Sequence, residues 1–117
     1  MFLATAVVSV ILALLLTLSA AMKLQRNPQI VDSVHGVVGF PLDRFWILAL
    51  LELAAAAGLV IGLWVAPLGI AAAIGTVAYF VGAIIAHLRV SDTKGAANPA
   101  VPLALSIAAL VLRVLSA

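Results

Sequence analysis

Leu50-Leu51-Glu52-Leu53-Ala54-Ala55-Ala56-Ala57-Gly58 places one carboxylate inside a run that otherwise holds nothing polar. From Phe45 to Leu88 the only ionisable side chains are Glu52 and His87, plus the hydroxyl of Tyr79. A run this apolar belongs in lipid, where a central charge costs about 2.5–3.5 kcal/mol on insertion scales. An acid retained there faces the bundle interior and has a partner or a task.

Composition supports the same solvent. The chain has 117 residues, 67% apolar and 9% charged, with a mean hydropathy of +1.36. Soluble domains carry roughly 25% charged residues, and so short a soluble chain could not bury this much apolar surface. A multi-span membrane protein is expected. The net charge of +2 comes from few residues, with no basic patch interleaved with aromatics, so nucleic-acid binding has no support. There is no cysteine, which excludes disulfides, thiol chemistry and cysteine-ligated metal within this chain.

Outward from Glu52, the apolar runs predict one all-α domain over residues 1–117, a four-helix transmembrane bundle. Its spans cover about 2–22, 45–65, 68–88 and 99–115. The first run has no basic residue before it, and its first cation, Lys23, follows it. It therefore reads as a retained span rather than a cleaved signal. Between spans one and two, Asn27-Pro28 is a helix start, with Asn as cap and Pro at the first helical position. Ile30, Val31, Val34 and Val38 then recur at helical spacing, and Gly36, Gly39 and Pro41 end the pattern. This predicts a short amphipathic helix in the interface or folded onto the bundle. Trp46 and Trp64 stand near the ends of span two, where indoles favour the membrane interface. Arg113, near the end of span four, is expected to reach the headgroups.

With four spans, Lys23, Arg26, Arg44, Arg89 and Lys94 fall on one side and Arg113 on the other. The positive-inside rule puts connections 23–44 and 89–98 in the cytoplasm and both termini outside, as in a bacterial inner membrane. For helix packing the candidates are Gly58 and Gly62 in span two and Gly75 and Gly82 in span three, since small residues let helices approach in lipid. At 100° per residue, Glu52 projects roughly 100° away from the Gly58/Gly62 face.

Lys23, Glu52, His87 and Arg89 come from three spans and lie in the same half of the membrane, with Arg44 nearby. They form the expected polar cluster, and Ser19 stands one turn from Lys23 on its face. One reading is an ion pair locking helices together, with Lys23 or Arg89 bound to Glu52. Another is a proton-carrying or ligand site, with Glu52 and His87 as the candidate catalytic groups. A third has Glu52 meeting another chain. No metal site or cofactor is expected: the two histidines, His35 and His87, make no ligand set, and no phosphate loop or nucleophile elbow occurs.

The ordered set of motifs resembles the DoxX-like family of small four-span membrane proteins. Ser19-Ala20-Ala21-Met22-Lys23-Leu24 closes span one and Val38-Gly39-Phe40-Pro41 precedes span two. Leu51-Glu52-Leu53, Gly58-Leu59-Val60-Ile61-Gly62-Leu63, Pro67-Leu68-Gly69 and Gly82-Ala83 through His87 follow in order. The resemblance implies a four-helix membrane bundle. It also implies two roles: accessory subunits of larger membrane complexes, such as a lipid importer of the Mce type, and a quinone-handling oxidoreductase subunit, after which the family is named. The favoured expectation is a non-catalytic accessory subunit docking through its spans, with the bilayer and a larger membrane complex as partners. A membrane oxidoreductase subunit handling quinone and a small transporter are the alternatives.

Overall fold

A computed structural model describes all of residues 1–117. Four long helices dominate it: α1 (Phe2–Leu24), α3 (Phe45–Ile61), α4 (Ala66–Arg89) and α6 (Ala100–Leu115). Each belongs to an apolar segment long enough to cross a membrane. They run up and down in a ring in which α1 packs on α3, α3 on α4, α4 on α6, and α6 back on α1. The long dimension is 41 Å, about the thickness of a bilayer with its headgroups.

Local chemistry sets the breaks. Arg26 leaves α1 with a φ of 53°. Asn27 then caps the next turn, its side chain accepting from the Gln29 amide at 3.0 Å. The expected short helix forms here as α2 (Pro28–Ile30), running on as a π-helix over Val31–Val37. It ends at Gly39, whose φ of 84° a residue without a Cβ adopts most readily. A one-turn 3-10 helix (Leu42–Arg44) leads into α3. Span two stops at Ile61 rather than Val65, because Gly62 begins a tight turn and Pro67 fits the first turn of α4. Before α6, Asp92 caps the short helix α5 (Thr93–Ala97) by accepting from the Gly95 amide at 2.9 Å.

Inside the ring, Leu12, Leu16, Ala56, Leu59, Ala73, Phe80 and Ala109 form the core. Hydroxyls within the spans bond back one turn: Thr17 to the Ala13 carbonyl at 2.8 Å, Thr76 to Ala72 at 2.7 Å, Ser106 to Pro102 at 2.6 Å. That removes their need for water. Aliphatic side chains such as Leu3, Leu14, Ile74 and Val101 point outward, the arrangement lipid favours.

Next to the 62–65 turn α3 and α4 touch backbone to backbone. A Cβ on Gly62 would run into the Gly69 backbone, and one on Gly58 would lie 2.8 Å from the Ala72 Cβ. Gly75 and Gly82 behave differently from expectation. Nothing lies within 4 Å of a Cβ placed on either. From the turn upward α3 and α4 part, so these two glycines border open space instead of a neighbouring helix.

Arg113 also departs from expectation. It is 7% exposed, and its Nε donates to the Gly62 carbonyl at 2.9 Å. Its Nη1 donates to the Ser116 hydroxyl at 3.2 Å, and the guanidinium lies 5.9 Å from the centre of the Phe2 ring. The last carbonyls of α3 have no intrahelical partners and carry the negative end of its dipole. The Gly62 carbonyl there holds the cation inside the bundle. Ser116 in turn lies 2.9 Å from the Thr5 hydroxyl, so α1, α3 and α6 are tied at this end.

Gly62→Ala is expected to lower stability by about 1–3 kcal/mol through overpacking against Gly69. Gly75→Ala is expected to leave it unchanged or raise it slightly, through better helix propensity. Thermal unfolding in detergent, followed by circular dichroism, separates the two.

Candidate functional site

At the end of the bundle away from the 62–65 turn, α1 presents Ser19 and Lys23 on one face, one turn apart. The Lys23 ammonium donates to the Ser19 hydroxyl at 2.8 Å and stands 2.8 Å from Glu52 Oε1. Glu52 reaches it from α3, two turns in from the helix start, about 10 Å along the axis. Both side chains are inside: 8% exposed for Lys23 and 1% for Glu52. No well-aligned donor meets Oε1 or Oε2, and the Tyr79 hydroxyl is near enough to supply one.

The pair borders a cavity of about 600 Å³. Tyr79 and His87 line it from α4, and Ile30, Val34 and Val38 from the short helix, which lies across its mouth. Asn98, Pro99 and Pro102 close the side next to α6. Tyr79 stands close enough to Glu52 to interact with its charge, and its ring meets Phe80 edge-on, with centroids 5.3 Å apart. Gly82 borders the same space; its missing side chain contributes to the room.

His87 is 7% exposed, and its Nδ1 lies 2.8 Å from Asp92 Oδ2. The Gly95 amide and, after it, the His87 ring hold the Asp92 carboxyl below the usual aspartate range. The link is a corner: Ser91, with φ 60°, turns the chain so that Asp92 points back at α4. A Cβ on Gly95 would displace the Asp92 carboxylate from this position.

The structure thus brings together Lys23, Glu52 and His87 around one cavity and leaves Arg89 out. Arg89 is exposed, two residues and roughly 200° around α4 from His87. Arg44 is exposed as well. Tyr79 and Asp92 were not among the expected cluster. Tyr79 had a weak signal, since it precedes His87 by eight residues and stands about 80° from it around α4. The signal for Asp92 was weaker: an Asp three residues before Gly95, after a Ser, is a capping pattern.

The sequence pattern of the DoxX-like family matches residues 7–109. The chain belongs to the DoxX-like family. No curated protein and no solved structure matches it. With its four spans, this DoxX-like chain is an integral membrane protein.

Removing one partner of a buried pair typically costs about 3–5 kcal/mol, because it strands the other charge. Lys23→Ala is expected to destabilise by that order, and Lys23→Met with Glu52→Leu to recover most of it. Thermal unfolding of the three proteins in detergent checks this; an additive double substitution would contradict the pairing.

Proposed function

We propose that this DoxX-like protein binds a small, mostly apolar molecule taken up from the bilayer. The observation that carries this reading is the cavity of about 600 Å³ at Lys23 and Glu52. Its size is that of small-molecule sites, roughly 300–1,000 Å³, and so is its make-up of apolar walls with a few convergent polar groups. Its polar groups include the Lys23 ammonium, the Glu52 carboxylate, the Tyr79 hydroxyl and the His87 ring, with Ser19, Gln29, Ser33 and Asn98 also in the lining. Quinone handling, the activity behind the family's name, is one form of this reading. The ring would occupy the cavity, with Glu52 and His87 available for proton transfer.

A second reading is the non-catalytic accessory subunit docking through its spans onto a larger membrane complex, such as an Mce-type lipid importer. Its support is that the connections are short and hold no further domain between the spans. Any docking partner would meet the apolar outer faces.

One purification addresses both readings. The tagged protein is extracted from its native membrane in mild detergent and examined by native mass spectrometry with an absorbance spectrum. The ligand reading predicts a small molecule bound to wild type and lost in Ala83→Leu, which fills the cavity. An unliganded protein in a stoichiometric membrane complex would favour the accessory subunit and overturn the ligand reading.

For orientation we propose a bacterial inner membrane with connections 23–44 and 89–98 in the cytoplasm and both termini outside. The support is that five of the six lysines and arginines stand at the cavity end, while Arg113 at the other end is buried. A cysteine at Asp32, exposed on the short helix, is expected to resist a membrane-impermeant maleimide in intact cells and react after permeabilisation. Reaction in intact cells would invert the orientation.

A further inference from the structure

Glu52 is the most buried charged side chain in the protein, 1% exposed, and no well-aligned donor meets either of its oxygens; the Tyr79 hydroxyl is near enough to supply one. An ionised carboxylate offers about four acceptor positions. Leaving them empty away from water is costly. The Lys23 ammonium meets Oε1 and the Tyr79 hydroxyl can serve one further position, so acceptor positions of the carboxylate remain open.

Glu52 also stands where two spaces meet. Besides the cavity already described, a groove of about 590 Å³ runs between α3 and α4. Glu52, Ala78 and Tyr79 line both. From there the groove follows Leu51, Ala55 and Gly58 on one wall and Ala71, Ala72 and Gly75 on the other, about 10 Å along the helices. Apart from Glu52, its polar lining comes down to the Tyr79 and Thr76 hydroxyls, and Thr76 is already bonded to the Ala72 carbonyl. The small residues on the walls keep it open: nothing stands within 4 Å of a Cβ built on Gly75. One space is thus lined with polar groups and the other is apolar, with open acceptor positions at their junction.

We propose that cavity and groove are one site for a single-chain amphipath, whose neutral head donates a hydroxyl hydrogen bond to Glu52 and whose apolar chain lies along the α3–α4 groove. The inference rests on reading the cavity as a ligand site, and adds the ligand's chemistry and pose. The head is a donor because the carboxylate needs one. It is neutral because the Lys23–Glu52 pair has no net charge to balance: a cationic head would meet the ammonium and an anionic one the carboxylate. The chain is apolar because the groove offers it nothing to hydrogen-bond and faces the bilayer.

The test uses wild-type protein in lipid nanodiscs and three probes. One is para-dodecylphenol with a photoreactive diazirine near the chain end; the second is its methyl ether; the third is para-ethylphenol, a head without a chain. The phenol is expected to label peptides covering residues 51–58 and 71–75 saturably. The methyl ether, which cannot donate, should need about tenfold more for the same labelling, the order expected when a buried acceptor goes unpaired. Gly75→Leu fills the groove without touching the ion pair. It should abolish chain labelling while para-ethylphenol still binds, as read by saturation-transfer NMR. Equal labelling by phenol and ether, or undiminished labelling of Gly75→Leu, overturns the inference. If para-ethylphenol nonetheless binds wild type, the cavity reading stands without it. If para-ethylphenol does not bind wild type either, both fall.

Discussion

A carboxylate held about 10 Å along a membrane helix has to be met by something, and in this protein it is met by the Lys23 ammonium at 2.8 Å. That contact joins α1 to α3 at the level where the bundle opens. Between α3 and α4 helix contact does not hold this level, because the two have parted and their small residues border empty space. The ion pair adds a polar tie to the α1–α3 side, where Ala20 and Ala49 are fully buried in the helix contact. Because Lys23 also donates to Ser19, the ammonium is fixed from its own helix before it meets Glu52.

The two ends of the bundle are built on different physics. At the turn end, backbones approach directly through Gly62 and Gly69, and Arg113 ties the α3 C-terminus to α6 through the Gly62 carbonyl. At that contact the two backbones leave no room between them. At the other end, polar side chains from α1, α3 and α4 converge on a cavity with a short helix across it. The short helix hangs between two left-handed residues, Arg26 and Gly39. The helices are tied at one end and part at the other.

Much of this was legible in the sequence where the signal is local. The four spans follow from runs of apolar residues, and Glu52 stands out because nothing near it is polar. Ser19 and Lys23 share a face by helical spacing, and Asn27-Pro28 caps a helix whatever surrounds it. What was not legible depends on where a second helix lies. A glycine at helical spacing marks a close contact at Gly62 and an opening at Gly75; the pattern is the same, and only the divergence of α3 and α4 tells them apart. Arg113 looked like a headgroup anchor because its acceptor, the Gly62 carbonyl, lies on another helix. Arg89 is the exception among these, since its angle from His87 on the same helix already pointed it away from Glu52. The Asp92 contact with His87 needs the left-handed turn at Ser91, a conformation that residue type alone does not announce.

The account depends most on the Lys23–Glu52 contact, and solid-state NMR of the protein in bilayers reads it directly. With lysine Nζ and glutamate side-chain carbons isotopically labelled, Glu52 is the only glutamate in the chain, so its signal needs no further assignment. The account predicts a through-space cross-peak between the Lys23 ammonium nitrogen and a Glu52 carbon with the chemical shift of an ionised carboxylate. A protonated carboxyl shift with no cross-peak to Lys23 would contradict it.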